Sequence, residues 1–173
     1  SHSMKTGIYI EQGVLNTLQV GQAHNTSYVF IFGTPIALNM HATPFTTPGR
    51  MMDLGIFIQD QWTLDRLTLN LGVRADIFEG HVPAQQQEAT PSGWIPARNF
   101  PRINGLPSWK DINPRLGMAY DVSGDGRTAV KLSLGRYVRK TGVDVARSYG
   151  PVAGSINSVG RSWWDANGNY YPD

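Results

Sequence analysis

From Arg66 to Ile77 the chain alternates without a break. Arg66, Thr68, Asn70, Gly72, Arg74 and Asp76 are polar or small, and Leu67, Leu69, Leu71, Val73, Ala75 and Ile77 between them are apolar. Successive side chains of a strand point to opposite faces, so this pattern predicts a strand with one aliphatic and one polar face. A helix would scatter Leu67 and Leu69 onto different faces. The preceding segment, Asp53 to Leu64, repeats the plan. Leu54, Ile56, Ile58, Trp62 and Leu64 fall on one face, Asp53, Gly55, Phe57, Gln59, Gln61 and Thr63 on the other, and Asp60 breaks the apolar side. The two segments meet at Leu64-Asp65-Arg66, which leaves room only for a tight antiparallel hairpin.

A second hairpin follows. Pro114, Leu116, Met118, Tyr120 and Val122 alternate with Asn113, Arg115, Gly117, Ala119 and Asp121. Ser123-Gly124-Asp125-Gly126 supplies turn residues that tolerate positive φ. Thr128, Val130, Leu132 and Leu134 then alternate with Ala129, Lys131, Ser133 and Gly135, with Arg136 on the apolar side. A weaker segment opens the chain, with Met4, Thr6, Ile8 and Ile10 against Lys5, Gly7, Tyr9 and Glu11. Strands are therefore expected at about 2–12, 53–64, 66–78, 113–122 and 127–139. Residues 13–50, 80–111 and 140–173 are expected to be loops, with Ser27 to Phe32 a short strand inside the first.

The connections run long, short, long, short, long, which puts every short turn at one end of the sheet and every long loop at the other. Bacterial outer-membrane barrels have this polarity, with short periplasmic turns and long extracellular loops. The strands also reach the ten or so residues that a tilted strand needs to cross a bilayer. The expected fold is all-β: an antiparallel transmembrane β-barrel segment in the bacterial outer membrane. On this reading Leu54, Ile56, Ile58, Leu67, Leu69, Leu71, Val73, Leu116, Met118, Val130, Leu132 and Leu134 meet lipid. Gln59, Gln61, Arg74, Asp76, Arg115 and Lys131 face a wet lumen. Trp62 and Tyr120 lie near the short turns, where an aromatic girdle belongs. Asp60 lies close to a turn, where a charge on the lipid face costs only about 0–1 kcal/mol. A soluble antiparallel sandwich, or a barrel used for adhesion, is the competing reading, because a soluble sheet also alternates with its apolar side inward. The segregation of loop lengths by end and the charges on the polar face favour the barrel.

Composition agrees. The 173 residues carry 16% charged and 40% hydrophobic side chains, with 19 Gly and 11 Pro, a mean hydropathy of −0.28 and a net charge of +2. So mild a charge does not point to nucleic acid. Frequent Gly and Pro exclude a coiled coil, and no apolar run is long enough for a spanning helix. The absence of cysteine excludes a disulfide scaffold, a thiolate metal site and a Cys nucleophile.

Two stretches carry a family resemblance. Leu54-Gly-Ile-Phe-Ile-Gln-Asp-Gln-Trp-Thr-Leu running into Arg66-Leu-Thr-Leu-Asn-Leu-Gly-Val-Arg-Ala-Asp76 resembles a barrel hairpin of TonB-dependent outer-membrane receptors, in the Oar-like branch whose members often carry a carboxypeptidase-regulatory-like domain. Trp109-Lys-Asp-Ile-Asn-Pro-Arg-Leu-Gly-Met-Ala-Tyr-Asp121 with Gly124 to Tyr137 resembles the next hairpin. The resemblance covers about residues 53–138. It implies a 22-stranded barrel with an N-terminal plug domain, importing a bulky ligand of siderophore, carbohydrate or peptide class with energy from the TonB system. Its implied partners are outer-membrane lipid and lipopolysaccharide, the plug and an extracellular ligand. No plug, TonB box or terminal aromatic strand is recognisable in these residues, and five strands are an odd number. The chain is therefore expected to be an internal piece of a larger barrel.

Catalytic chemistry is not expected. His2, His24, His41 and His81 have no metal-protease spacing, and no nucleophile elbow, P-loop or dinucleotide fingerprint occurs. Asn25-Thr26-Ser27 matches a glycosylation sequon by chance. Asp165, Asn167, Asn169 and Asp173 have the spacing with which a calcium loop begins, so calcium is the one candidate cofactor; an Asx-rich turn is the alternative. Trp94, Phe100, Trp109, Trp163, Trp164, Tyr170 and Tyr171 are placed in the outer loops, as ligand platforms or anchors. Arg136, Arg139, Lys140 and Arg147 form a loose basic cluster expected at the outer rim, facing lipopolysaccharide phosphates.

Overall fold

The computed structural model describes residues 1–21, 25–90 and 95–170. Five long strands form one antiparallel sheet in the order β1 (His2–Gln19), β4 (Phe45–Leu64), β5 (Leu67–Val82), β8 (Ile103–Asp121) and β9 (Ala129–Gly135). Above it stands a three-stranded arm, β10 (Ser158–Arg161), β3 (Thr34–His41) and β2 (Thr26–Ile31). A two-stranded ribbon joins β6 (Gln85–Gln87) to β7 (Arg98–Phe100), and a short helix, α1, covers Asp144–Ser148. Among the described residues the main sheet does not close: β1 and β9 are its edges.

Register shows why the alternation reads so cleanly. Ile8 pairs with Ile56, Ile56 with Ala75 and Ala75 with Ile112. Leu71 pairs with Leu116, which pairs with Leu134. Apolar rows thus run across the sheet, and many of these side chains are half exposed or more, Ile8 at 69% and Leu134 at 70%. From Leu67 to Ile77 this surface runs about 34 Å along the strand, or about 24 Å along the normal at a 45° tilt, which matches the apolar belt of an outer-membrane barrel. A sandwich would have buried it.

Both turns lie at one end. Asp65 takes φ 49°, in the left-handed region that Asp tolerates, and lets β4 return as β5 within two residues. In the second turn Asp121 collects the amides of Gly124 (2.9 Å) and Gly126 (2.8 Å), both glycines at positive φ.

The strands are longer than the alternation predicts. The expected loops 13–50 and 80–111 contain the rest of β1, the start of β4, the end of β5 and the start of β8, besides the small strands. Above the belt the outward face meets water, so nothing there demands an apolar residue while backbone pairing continues. Gln12, Arg50, Glu79 and Ser108 occupy that level. At 20 residues, β4 runs about 66 Å, roughly twice what the belt requires.

β9 is instead shorter than expected and stops at Gly135. The chain then turns across the polar face of the sheet, so residues from 136 into α1 do not form a free outer loop. The Arg136 amide still bonds the Pro114 carbonyl (3.0 Å). Its guanidinium, expected on the apolar side, reaches the Ile112 carbonyl (2.8 Å) and the carboxylate of Asp111. Lys140 reaches Tyr9 and Glu11 on β1, at the opposite edge. Helix α1 then packs on β4, β5 and β8. Met51, Phe78, Val82, Ala146 and Val152 are among the buried apolar residues, and Asp53 and Asn113 are buried on the same polar face. Gly49 permits the approach: a Cβ there would lie 2.9 Å from Arg147 Cβ and 3.0 Å from the Val143 carbonyl.

Candidate functional site

All polar-face candidates share one side of the sheet. Gly55 pairs with Asp76, Phe57 with Arg74, and Arg74 with Asn113, while Gly72 pairs with Arg115 and Ala119 with Lys131. The apolar candidates Leu54, Ile56, Ile58, Leu67, Leu69, Leu71, Val73, Leu116, Met118, Val130, Leu132 and Leu134 occupy the other side. The polar side divides by height. Near the short turns, Gln59 and Gln61 line an open hollow with Lys5, Asn70 and Ser133. Lys131 stands apart beside Asn70 and Gly117.

Higher up, Arg74, Asp76 and Arg115 line a half-open hollow of about 360 Å³ beside the crossing segment. Arg74 Nε donates to Asp76 Oδ1 at 2.6 Å, and Asn113 Nδ2 donates to Asp76 Oδ2 at 2.7 Å. Arg136 pairs with Asp111, and Lys140 with Glu11. The Arg115 guanidinium lies over the Tyr137 ring at 4.8 Å, and Arg74 lies 5.8 Å from the Tyr9 ring centroid. Small residues make room for these flat side chains. A Cβ on Gly55 would sit 2.4 Å from Arg74 Nη2, and one on Gly135 2.9 Å from the Tyr137 ring. Trp109, expected in an outer loop, stands on this wall in β8 with its ring 5.6 Å from Phe78.

Tyr9, Asp53, Asp111, Asn113, Tyr137 and Lys140 also line this hollow, and none of them was singled out as a lumen residue from the sequence. The alternation already places Tyr9, Asp53 and Asn113 on the polar side, and Asp111, at the end of an expected loop, continues that phase. Tyr137 falls in the polar phase of the expected strand 127–139, whereas Lys140 lies beyond it and no periodicity marks it.

The basic cluster of Arg136, Arg139, Lys140 and Arg147 does not assemble at the outer rim. Three of its members are drawn to carboxylates on or over the polar face: Arg136 to Asp111, Lys140 to Glu11 and Arg147 to Asp144. The outward face above the belt instead carries Lys110, opposite Ile77, and Arg50, opposite His81, with Arg102 near by. Burial holds the His81 pKa below its ordinary value, and the charges of Arg102 and Arg50 push it further down.

At the short-turn end Asp60 lies on the apolar face, as expected, and is paired. Its Oδ2 lies 2.6 Å from His2 Nδ1 and its Oδ1 accepts the Ser3 amide at 3.2 Å, while His2 stacks on Trp62 at 5.2 Å. In the second turn Asp121 is held below the usual carboxylate value, chiefly by the Gly126 amide and further by Gly124 and Ser123. Asp125 is lowered by the Ser123 hydroxyl and the Arg127 amide.

In the arm, Trp163 is 7% exposed, donates to the Ala37 carbonyl (3.0 Å) and packs edge-on against Tyr28 and Phe30. Tyr170 lies 6.0 Å from Phe30, and Trp164 is exposed. Phe100 sits in β7. Asn25 is buried against Thr43, its Nδ2 donating to the Thr43 carbonyl at 2.6 Å. His41 bonds Ser27 (2.9 Å), remote from His2 and His81. His24, Trp94, Tyr171 and Asp173 lie outside the described residues. In the candidate calcium loop Asp165 accepts the amides of Asn169 (3.0 Å) and Tyr170 (2.8 Å), and Asn167 also accepts that of Asn169. These oxygens cap a turn, so an ion would have to compete with backbone amides for them. Among the described residues no three His, Asp or Glu side chains gather as a metal site requires.

Compared with known proteins, residues 2–167 match the family model described as outer membrane beta barrel domain. No curated protein and no solved structure matches the chain. The match spans nearly the whole chain, and the belt, the turn polarity and the two-faced sheet agree with it. The chain belongs to the outer membrane beta barrel domain family, and its place is the bacterial outer membrane.

Proposed function

We propose that this chain forms part of the wall of a TonB-dependent transporter of the Oar-like branch, importing a bulky ligand together with a plug domain and the TonB system. The observation that carries the reading is the polar face. It places paired charges and aromatic rings at the long-loop end, behind a continuous aliphatic surface. Gln59, Gln61, Arg74, Asp76, Arg115 and Lys131 line the lumen, and the apolar rows meet lipid. The wall has no catalytic step and no resident cofactor. Lipopolysaccharide phosphates meet Lys110, Arg50 and Arg102 just above the belt, where cations suit an anionic headgroup layer. Uptake measured in cells with and without a working TonB system tests the proposal: loss of uptake without TonB is expected, and uptake that is indifferent to TonB overturns it.

The crossing segment favours one second reading, a passive pore narrowed by its own chain. Lys140 spans the polar face to Glu11, and a lumen already holding this strap has less room for a plug. Conductance in planar bilayers separates the two, since a plugged receptor stays closed and a constricted pore passes ions steadily.

A further inference from the structure

The outward face above the belt carries a charge cluster that the lumen does not use. Val14, Arg50, His81 and Asn104 are successive partners across β1, β4, β5 and β8, so their side chains share one row. Arg102 lies two residues from Asn104 in the same phase, and with Arg50 and His81 it lines an open hollow of about 460 Å³. Leu54 pairs with Ile77 at the top of the belt, and Arg50 lies further along the same strand. The row therefore stands about 14 Å along the strand from Leu54, or about 10 Å above the hydrocarbon at a 45° tilt. At that level a lipid with a sugar headgroup carries its phosphates.

Both guanidiniums are held in place with N–H groups to spare. Arg50 Nη1 donates to the Leu15 carbonyl (3.3 Å), the Gly49 carbonyl (2.8 Å) and Asn16 Oδ1 (2.8 Å), which leaves Nε and Nη2 uncommitted. Arg102 Nε donates to Asn104 Oδ1 (2.7 Å), which leaves its two terminal nitrogens. Among the described residues neither arginine has an ion-pair partner. The carboxylate nearest the row, Glu79, is one row closer to the belt and accepts the Ser108 hydroxyl at 2.6 Å. His81 lies in the row itself, and the charges of both arginines reach it. Fixed guanidiniums with free N–H groups match the oxygens of a phosphate. Val14, 67% exposed, and Met52, 39% exposed, flank the row. An occupant with acyl chains gains apolar contact there that a free anion does not.

We infer that this hollow is a docking site for one phosphate of lipopolysaccharide, gripped by Arg50 and Arg102 beside the His81 ring. The inference deepens the lipopolysaccharide contact proposed above and rests on this face being outward. It sets the arginine pair apart from Lys110, two rows nearer the belt, with Glu79 between them. The test adds deep-rough lipopolysaccharide, which keeps its phosphorylated inner core, to the full-length protein in detergent micelles. Native mass spectrometry counts bound lipid, and NMR follows the His81 ring, assigned by its loss in His81→Gln. Lipopolysaccharide binds saturably, and the His81 pKa rises by about one pH unit or more as a phosphate settles beside it. Phosphatase-treated lipopolysaccharide leaves that pKa where it was. Arg102→Gln, at an exposed side chain, weakens binding about tenfold or more, as does Arg50→Gln; Arg127→Gln, exposed at the short-turn end, does not. A His81 pKa that lipopolysaccharide leaves unchanged overturns the assignment. So does binding indifferent to Arg102→Gln or to removal of the phosphates, or inorganic phosphate binding as tightly as the lipid. Binding is read without TonB, so its failure leaves the transport reading standing, and TonB-independent uptake with binding intact overturns the transport reading alone.

Discussion

A lysine moved from one face of the sheet to the other separates a lipid-facing wall from a water-facing one. Leu116 is the middle of the outward residues Ile112, Pro114, Leu116, Met118 and Tyr120 on β8, is 47% exposed, and has Leu71 and Leu134 as its cross-strand neighbours. No carboxylate lies opposite it to neutralise a new cation. A lysine at mid-belt on a barrel's lipid face costs about 2–4 kcal/mol, so Leu116→Lys should lower the folded-to-unfolded ratio by about 30- to 900-fold. Asn70→Lys supplies the control. It lies on the polar face between Gln61 and Gly117, and Gly117 leaves space beside it, so it should change stability by about 0.5 kcal/mol or less. Both variants are refolded into phosphatidylcholine vesicles and unfolded with guanidinium, with tryptophan fluorescence and the heat-modifiable gel shift as independent readouts. The reasoning is refuted if the two cost the same, or if Asn70→Lys costs more.

Three further outcomes are expected. Removing one partner of the outward-facing pair, His2→Ala, should destabilise by about 1 kcal/mol because it strips Asp60 of its partner. The double change His2→Leu with Asp60→Leu should recover most of that in the same vesicle unfolding measurement. The lowered carboxyls of Asp121 and Asp125 give the second turn a pH dependence of definite sign. Their support is complete above the ordinary carboxylate value of 3.8 and is lost as the pH falls through their lower folded values. The Gly124 and Gly126 amide resonances should therefore hold at pH 4 and move only in stronger acid, and Asp121→Asn should shift both at neutral pH. Trp163→Ala should cost the arm about 3–5 kcal/mol, the usual loss for a buried tryptophan. Hydrogen exchange should show Thr26–His41 losing protection while β5 and β8 keep theirs.

What could be read from the residues was what lipid dictates. In the belt a side chain either meets hydrocarbon or does not, so Leu67 to Ile77 carries a two-valued pattern, and the tight turn at Asp65 fixes its partner. Above the belt that constraint ends. Gln12 and Arg50 on the outward face look like loop residues although the pairing of β1 with β4 continues through them. Val14 and Leu18 keep the phase of Ile8 and Ile10, a signal that could have extended β1. The cavity was half legible. Arg74, Asp76 and Arg115 followed from the alternation, whereas the path of Tyr137 and Lys140 across the sheet depends on tertiary contacts. Asp60 was legible as an exception but not as one half of a pair, because its partner His2 comes from a strand remote in sequence. The basic residues 136–147 misled for the same reason: their neighbours in the chain are cations, but their neighbours in space are Asp111 and Glu11.

The arm carries its own consequence for protein engineering. β3 is gripped on both sides, by β2 and by β10, and Trp163 closes over it, so two loops far apart in sequence move as one piece at the mouth. Only the far end of the hairpin is released from this lacing. Phe32 is fully exposed, and a Cβ on Gly33 would touch nothing. An epitope tag or fluorophore site placed between Phe32 and Gly33 should therefore project from the cell surface without loosening the mouth. The same insertion at Leu38 or Asn39, each paired on both sides, would pry the two loops apart.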